Sequence, residues 1–267
     1  MKALPVEGSM ARTTVKPKAR PWVAYDRGGY PAGEAHRFNP EHFEWVKRIE
    51  SQWKIIRDEL VEVLGAQGNA LLPYPDAGMT NKAQAWKTAG LMYWTFKSDK
   101  YIAMFPRTWK ILQTVPNLTS ASLLLLEPMS TIKPHVGDTN AVVRCHMGLI
   151  VPAPAPRCGL RVKDTTFSWE EGRIFMFNDA HEHTAWNNTE EKRYILSFDV
   201  IRPEYLGMER WVASQVLGNI FFDVMSSRHA WLRGIGTSKA ATSILRKMSK
   251  MFFRTLIFFR LPLYNLL

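Results

Sequence analysis

Short apolar segments separated by turn-forming residues fill the middle of this 267-residue chain and constrain its fold more than any other feature. They cover residues 120–127, 142–151, 160–162, 173–177 and 194–200. Clusters of Pro, Gly, Asp and Asn separate them, which is the pattern of β-strands joined by turns. Five or more short strands at such spacing predict a barrel or sandwich rather than a parallel α/β sheet.

Segments with helical periodicity flank this β-rich middle on both sides. Apolar residues recur at spacings of three and four from Val46 to Val63, which predicts an amphipathic helix ending near Gly65. Residues 106–112 predict a short helix, and residues 205–225 and 238–259 predict two longer ones. The expected fold class is therefore mainly β with flanking helices, with N-terminal helices and a C-terminal helical extension.

The chain divides into three predicted parts. Residues 1–35 are rich in Pro, Gly, Lys and Arg and show no period, so we expect a flexible basic arm. Residues 36–205 hold the helices and strands of one folded domain. The whole chain is 46% apolar, which is enough for one substantial core. Residues 206–267 form a basic amphipathic helical extension.

Cysteine content and the N-terminal sequence bear on the compartment. Two cysteines, Cys145 and Cys158, argue against a disulfide-stapled secreted scaffold, and we expect two buried thiols. The first residues lack the apolar segment of a secretory signal, and no run reaches about 18 apolar residues. The expected location is cytoplasmic, either free or peripheral on the inner face of a membrane.

The net charge of +11 is concentrated near the C-terminus. Residues 224–267 contain eight Lys and Arg and no Asp or Glu, a balance that favours an anionic surface as partner. Two hypotheses remain open for residues 238–267: a helix packed on the barrel, or a helix on an anionic membrane surface. The second is favoured because packing helices normally mix both signs of charge. Its acyl-facing residues would be Phe252, Phe253, Leu256, Ile257, Phe258 and Phe259. Nucleic acid is not expected as a partner, since the charge lies in an apolar helix.

His135 and His183 are the candidate metal ligands, because each lies at the end of a strand-like segment. Imidazole suits iron, copper and zinc alike, so the context must decide the metal. His181 would share a face with His183 on an extended chain and could replace it. In the common facial triad a carboxylate lies two residues after the first histidine, but Gly137 occupies that position. Asp138 could serve only in an unusual geometry.

From about Trp45 to Pro203 the chain resembles the aspartyl/asparaginyl β-hydroxylase family of iron(II)- and 2-oxoglutarate-dependent dioxygenases. The matching segments are EWVKRIESQWKIIRDE, PHVGDTN, RCHMGLIVP, FSWEEGRIFMFND, EHTAW and KRYILSFDVIRPE. The resemblance implies a double-stranded β-helix core of the jelly-roll or cupin type. It also implies Fe(2+) as cofactor, with 2-oxoglutarate and O2 as co-substrates.

The resemblance assigns the two histidines and their neighbour. It places iron on His135 and His183, and Gly137 fits a family that carries glycine where other oxygenases have the carboxylate. Asp179 falls on a carboxylate near the metal.

The resemblance also assigns co-substrate residues. Arg144 and His146 would contact 2-oxoglutarate, and Arg193 would hold its distal carboxylate. This agrees with the chemistry, since a guanidinium gives a carboxylate two parallel hydrogen bonds and an unpaired charge in an apolar strand is costly. The family often has a serine that contacts the co-substrate, on the strand before the first metal ligand. The match to the family places Leu124 at that position. Ser122, two residues away on the same face of the strand, is the candidate for this contact.

The expected activity is hydroxylation of an unactivated C–H bond. The basic, aromatic tail favours a membrane-lipid acyl chain as substrate. The alternative within the family is β-hydroxylation of Asp or Asn in a peptide, protein or small metabolite. A non-catalytic membrane-associated scaffold is the alternative from another class, and the presence of both histidines and Arg193 argues against it.

Overall fold

The computed structural model describes residues 20–25, 29–30, 33–68, 70–229, 232 and 238–259. Most of the predicted arm, residues 1–19, lies outside this description, as do residues 260–267 of the predicted extension. Residues 20–25 of the arm are packed on the domain, because Trp22 and Val23 are apolar and buried. Val23 forms a bridge with Thr139, so this segment runs beside the loop that follows His135.

Six α-helices occur among the described residues: α1 (Glu44–Glu50), α2 (Trp53–Ala66), α3 (Asp99–Met104), α4 (Pro106–Leu112), α5 (Glu209–Arg228) and α6 (Lys239–Phe259). The periodic segment from Val46 to Val63 forms two helices instead of one, with a break at Ser51 and Gln52. The helices expected at 106–112, 205–225 and 238–259 are confirmed with small shifts of their ends.

In the part of the chain that the structure describes, twelve strands form two antiparallel sheets. They are β1 (Arg37–Phe38), β2 (Leu72–Pro73), β3 (Trp86–Tyr93), β4 (Phe96–Lys97), β5 (Leu118–Leu126), β6 (Ser130–His135), β7 (Val142–Ile150), β8 (Cys158–Val162), β9 (Thr165–Phe167), β10 (Ile174–Phe177), β11 (His183–Asn187) and β12 (Arg193–Ile201). The large sheet has the order β1-β10-β7-β12-β5-β3-β2 with β4 on β3, and the small sheet has the order β6-β11-β8-β9. The fold is therefore the expected double-stranded β-helix with flanking helices.

Side chains alternate between two cores along the strands of the large sheet. On β12, Leu196 and Phe198 pack outward against α1, α2 and α4, whereas Ile195 packs inward between the two sheets. Because successive residues of a strand point to opposite faces, Arg193, Ser197 and Asp199 share the inward face with Ile195. Polar residues on this face of an apolar strand lie inside the barrel. Both cysteines are buried free thiols, as expected.

Helices α5 and α6 form an antiparallel pair at one end of the barrel. Their shared core includes Val216 and Leu217 of α5 and Phe253 of α6, together with Ala141 and Val142 at the start of β7. Phe253, Leu256 and Ile257 are buried here, so their predicted place in a lipid layer is wrong: they face α5. The other face of α6 is exposed. No described helix is both long enough and apolar enough to cross a bilayer.

Candidate functional site

His135 and His183 lie side by side at the end of the barrel where α5 and α6 pack. His135 is the last residue of β6 and His183 is the first of β11, and the two are directly opposed in the antiparallel pair. Their ring centroids are 4.1 Å apart. The sequence separates these rings by 48 residues, and the pairing of the two strands brings them together.

The Nδ1 atom of each imidazole is 2.8–2.9 Å from a backbone carbonyl, that of Lys133 for His135 and that of His181 for His183. A carbonyl oxygen only accepts, so Nδ1 carries the proton and Nε2 keeps its lone pair. Burial lowers the pKa of His135, and burial followed by the nearby His135 lowers the pKa of His183 well below 6.5. Two neutral imidazoles oriented by carbonyls have the protonation state and tautomer of metal ligands.

No group of three or more His, Cys, Asp or Glu positioned for a metal occurs in the described part of the chain. His181 is excluded as a substitute ligand, because residues 179–181 form a turn rather than extended chain. Its Nε2 atom lies 3.0 Å from the Glu34 carbonyl, and its ring packs on Tyr30. The protein therefore offers two imidazoles, and other ligands would take the remaining positions.

Asp179 lies beside the histidine pair in a buried position. The backbone N–H of Gly137 donates to the Asp179 carbonyl at 2.7 Å, which fixes this residue against the loop after His135. Its Oδ2 atom is 2.7 Å from Arg144 Nη1, whereas Oδ1 has no hydrogen-bond partner among the residues that the structure describes. Burial raises the pKa of this carboxyl to about 7, although Arg144 opposes the shift.

Arg144 is held by two carboxylates inside the barrel. Its Nε and Nη2 atoms each donate to Asp199 at 2.9 Å, and its Nη1 atom faces Asp179. Residues 144 and 199 are directly opposed on β7 and β12, which explains the two parallel hydrogen bonds. All three guanidinium nitrogens are thus engaged within the protein. The role of Arg144 toward 2-oxoglutarate stays a prediction.

Arg193 differs from Arg144 in having no carboxylate partner among the described residues. Its side chain is 1% exposed, its Nε atom has no hydrogen-bond partner, and its guanidinium lies 4.4 Å from the ring centroid of Trp169. Burial lowers the pKa of Arg193 to about 10, so the group remains charged at neutral pH. A buried cation without an anion is costly, and a bound anion would remove that cost.

A line of ring contacts joins the histidine pair to Arg193. His183 contacts Phe177 at 5.6 Å between centroids, Phe177 contacts His146 at 5.1 Å, and His146 stacks near Trp169 at 6.1 Å. His146 is buried, and its Nδ1 atom has no hydrogen-bond partner in the described part of the chain. Burial lowers the pKa of His146 well below 6.5. The barrel interior thus carries a neutral imidazole, able to donate or accept a hydrogen bond, between the histidine pair and Arg193.

Ser122 faces the same interior in the middle of β5. It is directly opposed to Ser197 of β12, which in turn is opposed to His146 of β7. Arg193 is opposed to Leu126, at the far end of the same strand pair. Ser122 is therefore nearer in register to His146 than to Arg193. Its contact with a co-substrate stays a prediction.

Asp199 is the residue of this interior that sequence reasoning missed. It is 5% exposed and binds Arg144 with both carboxylate oxygens. The signal was an acidic residue two positions after Ser197 within the apolar segment 194–200. Pairing Asp199 with Arg144 requires the register of β12 on β7, which the sequence does not contain.

Asp138 lies at the edge of the same barrel end. Its backbone carbonyl accepts from the Ala24 N–H at 2.9 Å, and its carboxylate makes no hydrogen bond or ion pair within the described ranges. Burial raises the pKa of this carboxyl to about 6, opposed by Arg144. Asp138 thus differs from Asp179 and Asp199, because its carboxylate has no partner among the described residues.

The residues present fit the iron and keto acid that the resemblance implies. Two imidazoles with oriented, unprotonated Nε2 atoms fit a divalent iron, and the few protein ligands leave positions for a chelating co-substrate. The orphaned Nε atom of buried Arg193 fits a carboxylate at the other end of that co-substrate.

Comparisons with known proteins agree with this geometry. The family model described as aspartyl/asparaginyl beta-hydroxylase matches residues 50–203. An ornithine lipid ester-linked acyl 2-hydroxylase of Rhizobium tropici is 37% identical over 165 residues, which cover 60% of this chain and 58% of that protein. The human aspartyl/asparaginyl beta-hydroxylase is 29% identical over 198 residues, 72% of this chain and 24% of that protein. The chain thus spans less than two thirds of either relative.

Solved structures are similar to parts of this chain, with low TM-scores. The viral collagen prolyl hydroxylase of Paramecium Bursaria Chlorella virus-1, in its 2OG complex, has 10% identity and a TM-score of 0.35, covering 55% of this chain and 90% of that one. The Cnp3 cupin domain of Schizosaccharomyces pombe has 14% identity and a TM-score of 0.31, covering 47% and 69%. The family model spans more than half of this sequence and includes both histidines, Arg144, His146 and Arg193. The chain belongs to the aspartyl/asparaginyl β-hydroxylase family.

Proposed function

We propose that this protein is an iron(II)- and 2-oxoglutarate-dependent dioxygenase that hydroxylates an unactivated C–H bond. The observation that carries the proposal is the pairing of two features in one barrel. One is the couple of neutral imidazoles whose Nε2 atoms are free. The other is Arg193, a buried cation that has no anion of its own in the described chain.

Each residue of the interior has a defined part. His135 and His183 would hold iron through Nε2, and their Nδ1–H groups would keep the rings oriented on the carbonyls. Iron(II) bound there would supply the activation of dioxygen coupled to oxidation of the keto acid. Arg193 would bind the distal carboxylate of 2-oxoglutarate bidentately, and His146 would donate or accept a hydrogen bond along its length. The surrounding rings of Phe177 and Trp169 would limit the access of water to this space.

The favoured substrate is the acyl chain of a membrane lipid. Two observations support this choice over a peptide. The relative named for acyl 2-hydroxylation has 37% identity, against 29% for the human protein named for Asp and Asn. Helix α6 also presents exposed apolar side chains next to exposed basic ones. Hydroxylation of Asp or Asn in a peptide, protein or small metabolite is the second candidate, and the human relative supports it. A cytoplasmic location, peripheral on the inner face of a membrane, stays a prediction.

The test is turnover by the purified full chain with iron(II), 2-oxoglutarate and dioxygen. We expect succinate release to rise on addition of an extract of anionic and amino-acid-containing lipids, with a lipid product heavier by one oxygen atom. Asp- and Asn-containing peptides in parallel reactions test the second candidate. Succinate release without any hydroxylated lipid rejects the acyl substrate alone. Absence of succinate release under every condition, with iron bound, rejects the oxygenase and favours a scaffold.

A further inference from the structure

Helix α6 has one buried apolar face and one exposed apolar face. Phe252, at the border between them, contacts Phe221 of α5 at 6.2 Å between ring centroids. Phe253, Leu256 and Ile257 are buried against α5. The packing is close: a Cβ on Gly218 of α5 would lie 2.6 Å from the Cα of Lys250. The buried face attaches α6 to the domain, whereas the opposite side of the helix is exposed.

The opposite side carries a continuous row of large apolar side chains, called here the apolar stripe. Its members are Ile244 (57% exposed), Met248 (57%), Met251 (66%), Phe252 (43%), Phe258 (67%) and Phe259 (63%). At 3.6 residues per turn they fall within about 120° of the helix circumference. Single exposed apolar residues are common, but six on one stripe form a contiguous patch of the kind that marks an interaction surface.

The charges beside the stripe identify the kind of partner. Lys247 and Arg254 are exposed along one edge of the stripe, and neither has an ion-pair partner among the described residues. Arg246, on the side that faces α5, is paired with an acid, at 2.6 Å from Asp223. Helix α6 itself contains no Asp or Glu. Exposed aromatic and thioether side chains beside unpaired cations complement a surface with apolar interior and anionic rim, which is a lipid bilayer.

The position of α6 relates this surface to the histidine pair. The core that holds α5 and α6 includes Ala141 and Val142, which follow His135 in the loop leading to β7. Arg246 lies 4.8 Å from the ring centroid of Tyr25, on the segment that runs beside Asp138. The helix therefore sits at the end of the barrel that contains the metal site, and not at the far end near Arg193.

We propose that the apolar stripe of α6 inserts into the headgroup region of an anionic membrane and holds the metal-site end of the barrel at the bilayer surface. The helix lies in the interface plane rather than crossing the bilayer. The role of this contact rests on the proposed function, because it would bring the site within reach of a lipid acyl chain.

Vesicle sedimentation with the full chain tests the contact. We expect it to pellet with phosphatidylcholine vesicles that contain phosphatidylglycerol, to pellet much less with phosphatidylcholine alone, and to dissociate as salt rises. Ile244→Ser with Phe258→Ser should lower the partition coefficient at least tenfold, since two exposed apolar side chains leave the lipid. Ile55→Ser with Val61→Ser, on the exposed face of α2, is the matched control and should bind as the unaltered protein does.

A charge series separates the two components of binding. Lys247→Gln with Arg254→Gln should weaken binding to anionic vesicles severalfold and reduce its salt dependence, whereas Lys47→Gln with Lys54→Gln should not. No pelleting of the unaltered chain, or equal binding by the stripe variant, overturns the proposal. A dimer in analytical ultracentrifugation that the stripe variant dissociates, with no vesicle binding, assigns the stripe to a second copy of the chain and also overturns it.

Two further results keep this proposal separate from the oxygenase. The stripe variant should release succinate from 2-oxoglutarate at the unaltered rate in the absence of lipid, because it leaves the barrel interior intact. His135→Ala should still pellet with anionic vesicles. Vesicle binding without any turnover therefore rejects the proposed oxygenase activity and leaves the membrane contact standing. Turnover of detergent-dispersed substrate without vesicle binding rejects the membrane contact and leaves the oxygenase activity standing.

Discussion

The carboxylate of Asp179 fills the space that a side chain at Gly137 would need. A Cβ on residue 137 would lie 2.2 Å from Asp179 Oδ2 and 2.4 Å from its Cγ. Two contacts hold Asp179 in this position: its carboxylate is bound to Arg144, and its carbonyl accepts from the Gly137 N–H. The carboxylate of Asp179, from the loop before His183, therefore occupies the space beside Gly137, two residues after His135.

Gly137→Ala should therefore destabilise the protein by about 1–3 kcal/mol, through the overpacking of a buried site. Chemical denaturation measures the free energy of unfolding. Gly65→Ala is the control, because a Cβ there meets nothing within 4 Å and lies in helix α2, where Ala is favoured. The cost of Gly137→Ala should shrink in an Asp179→Ala background. An equal cost in both backgrounds would contradict the steric explanation.

Replacing Arg193 should separate stability from co-substrate binding. Arg193→Met removes a buried cation that lacks an anion, so the unliganded protein should gain about 1–3 kcal/mol in free energy of unfolding. The same change should abolish the rise in melting temperature that 2-oxoglutarate with metal gives the unaltered protein. Arg157→Met, at an exposed arginine, should leave both quantities unchanged within about 0.5 kcal/mol. A melting response retained by Arg193→Met would remove Arg193 from the co-substrate site.

The histidine pair should account for metal binding. His135→Ala and His183→Ala should each lower the affinity for Co(II), used as a stable substitute for iron(II), by at least 100-fold in calorimetric titration. His181→Ala should retain binding, because its imidazole points to Glu34. Because both ligand pKa values are lowered, few protons should be released on binding at pH 7.5. Loss of the metal in His181→Ala with retention in His183→Ala would reverse the assignment.

Arg144 should be a large contributor to folding. Arg144→Ala leaves Asp199 buried without its two hydrogen bonds and Asp179 without its ion pair, which should cost about 3–5 kcal/mol. Arg57→Ala, which breaks a surface ion pair with Asp58, should cost less than about 1 kcal/mol. A loss below 1 kcal/mol for Arg144→Ala in urea denaturation would show that the acids find other partners.

Asp138 should make stability fall as pH rises through the mildly acidic range. Its pKa is raised from 3.8 to about 6, so the folded state holds the proton more tightly than the unfolded chain. Ionisation therefore costs stability, progressively between about pH 4 and 6, and the cost is fully present at pH 7. In metal-free protein, Asp138→Asn should raise the free energy of unfolding at pH 7 by roughly 1–2 kcal/mol and by much less at pH 4. Asp58→Asn should show no such difference, and equal gains at both pH values would exclude ionisation of Asp138 as the cause.

The sequence predicted the segments of β5, β7, β8, β10 and β12 and the helical regions on both sides of them. It also identified His135 and His183 as candidate metal ligands. Alternating and helical periodicities show which side chains of a segment face the core and which face solvent. These patterns predicted the β-rich middle and the helices on both sides of it. It could not distinguish Arg144 from Arg193, since both occur in similar apolar strands.

Only the tertiary structure decided what each of these residues touches. The register of β7 on β12 sets Arg144 opposite Asp199, whereas Arg193 is opposed to Leu126 and keeps no anion among the described residues. The turn at 179–181 sends His181 away from His183, and the packing of α5 decides which face of α6 is buried. Partners come from contacts between distant segments, and local periodicity carries no information about those contacts.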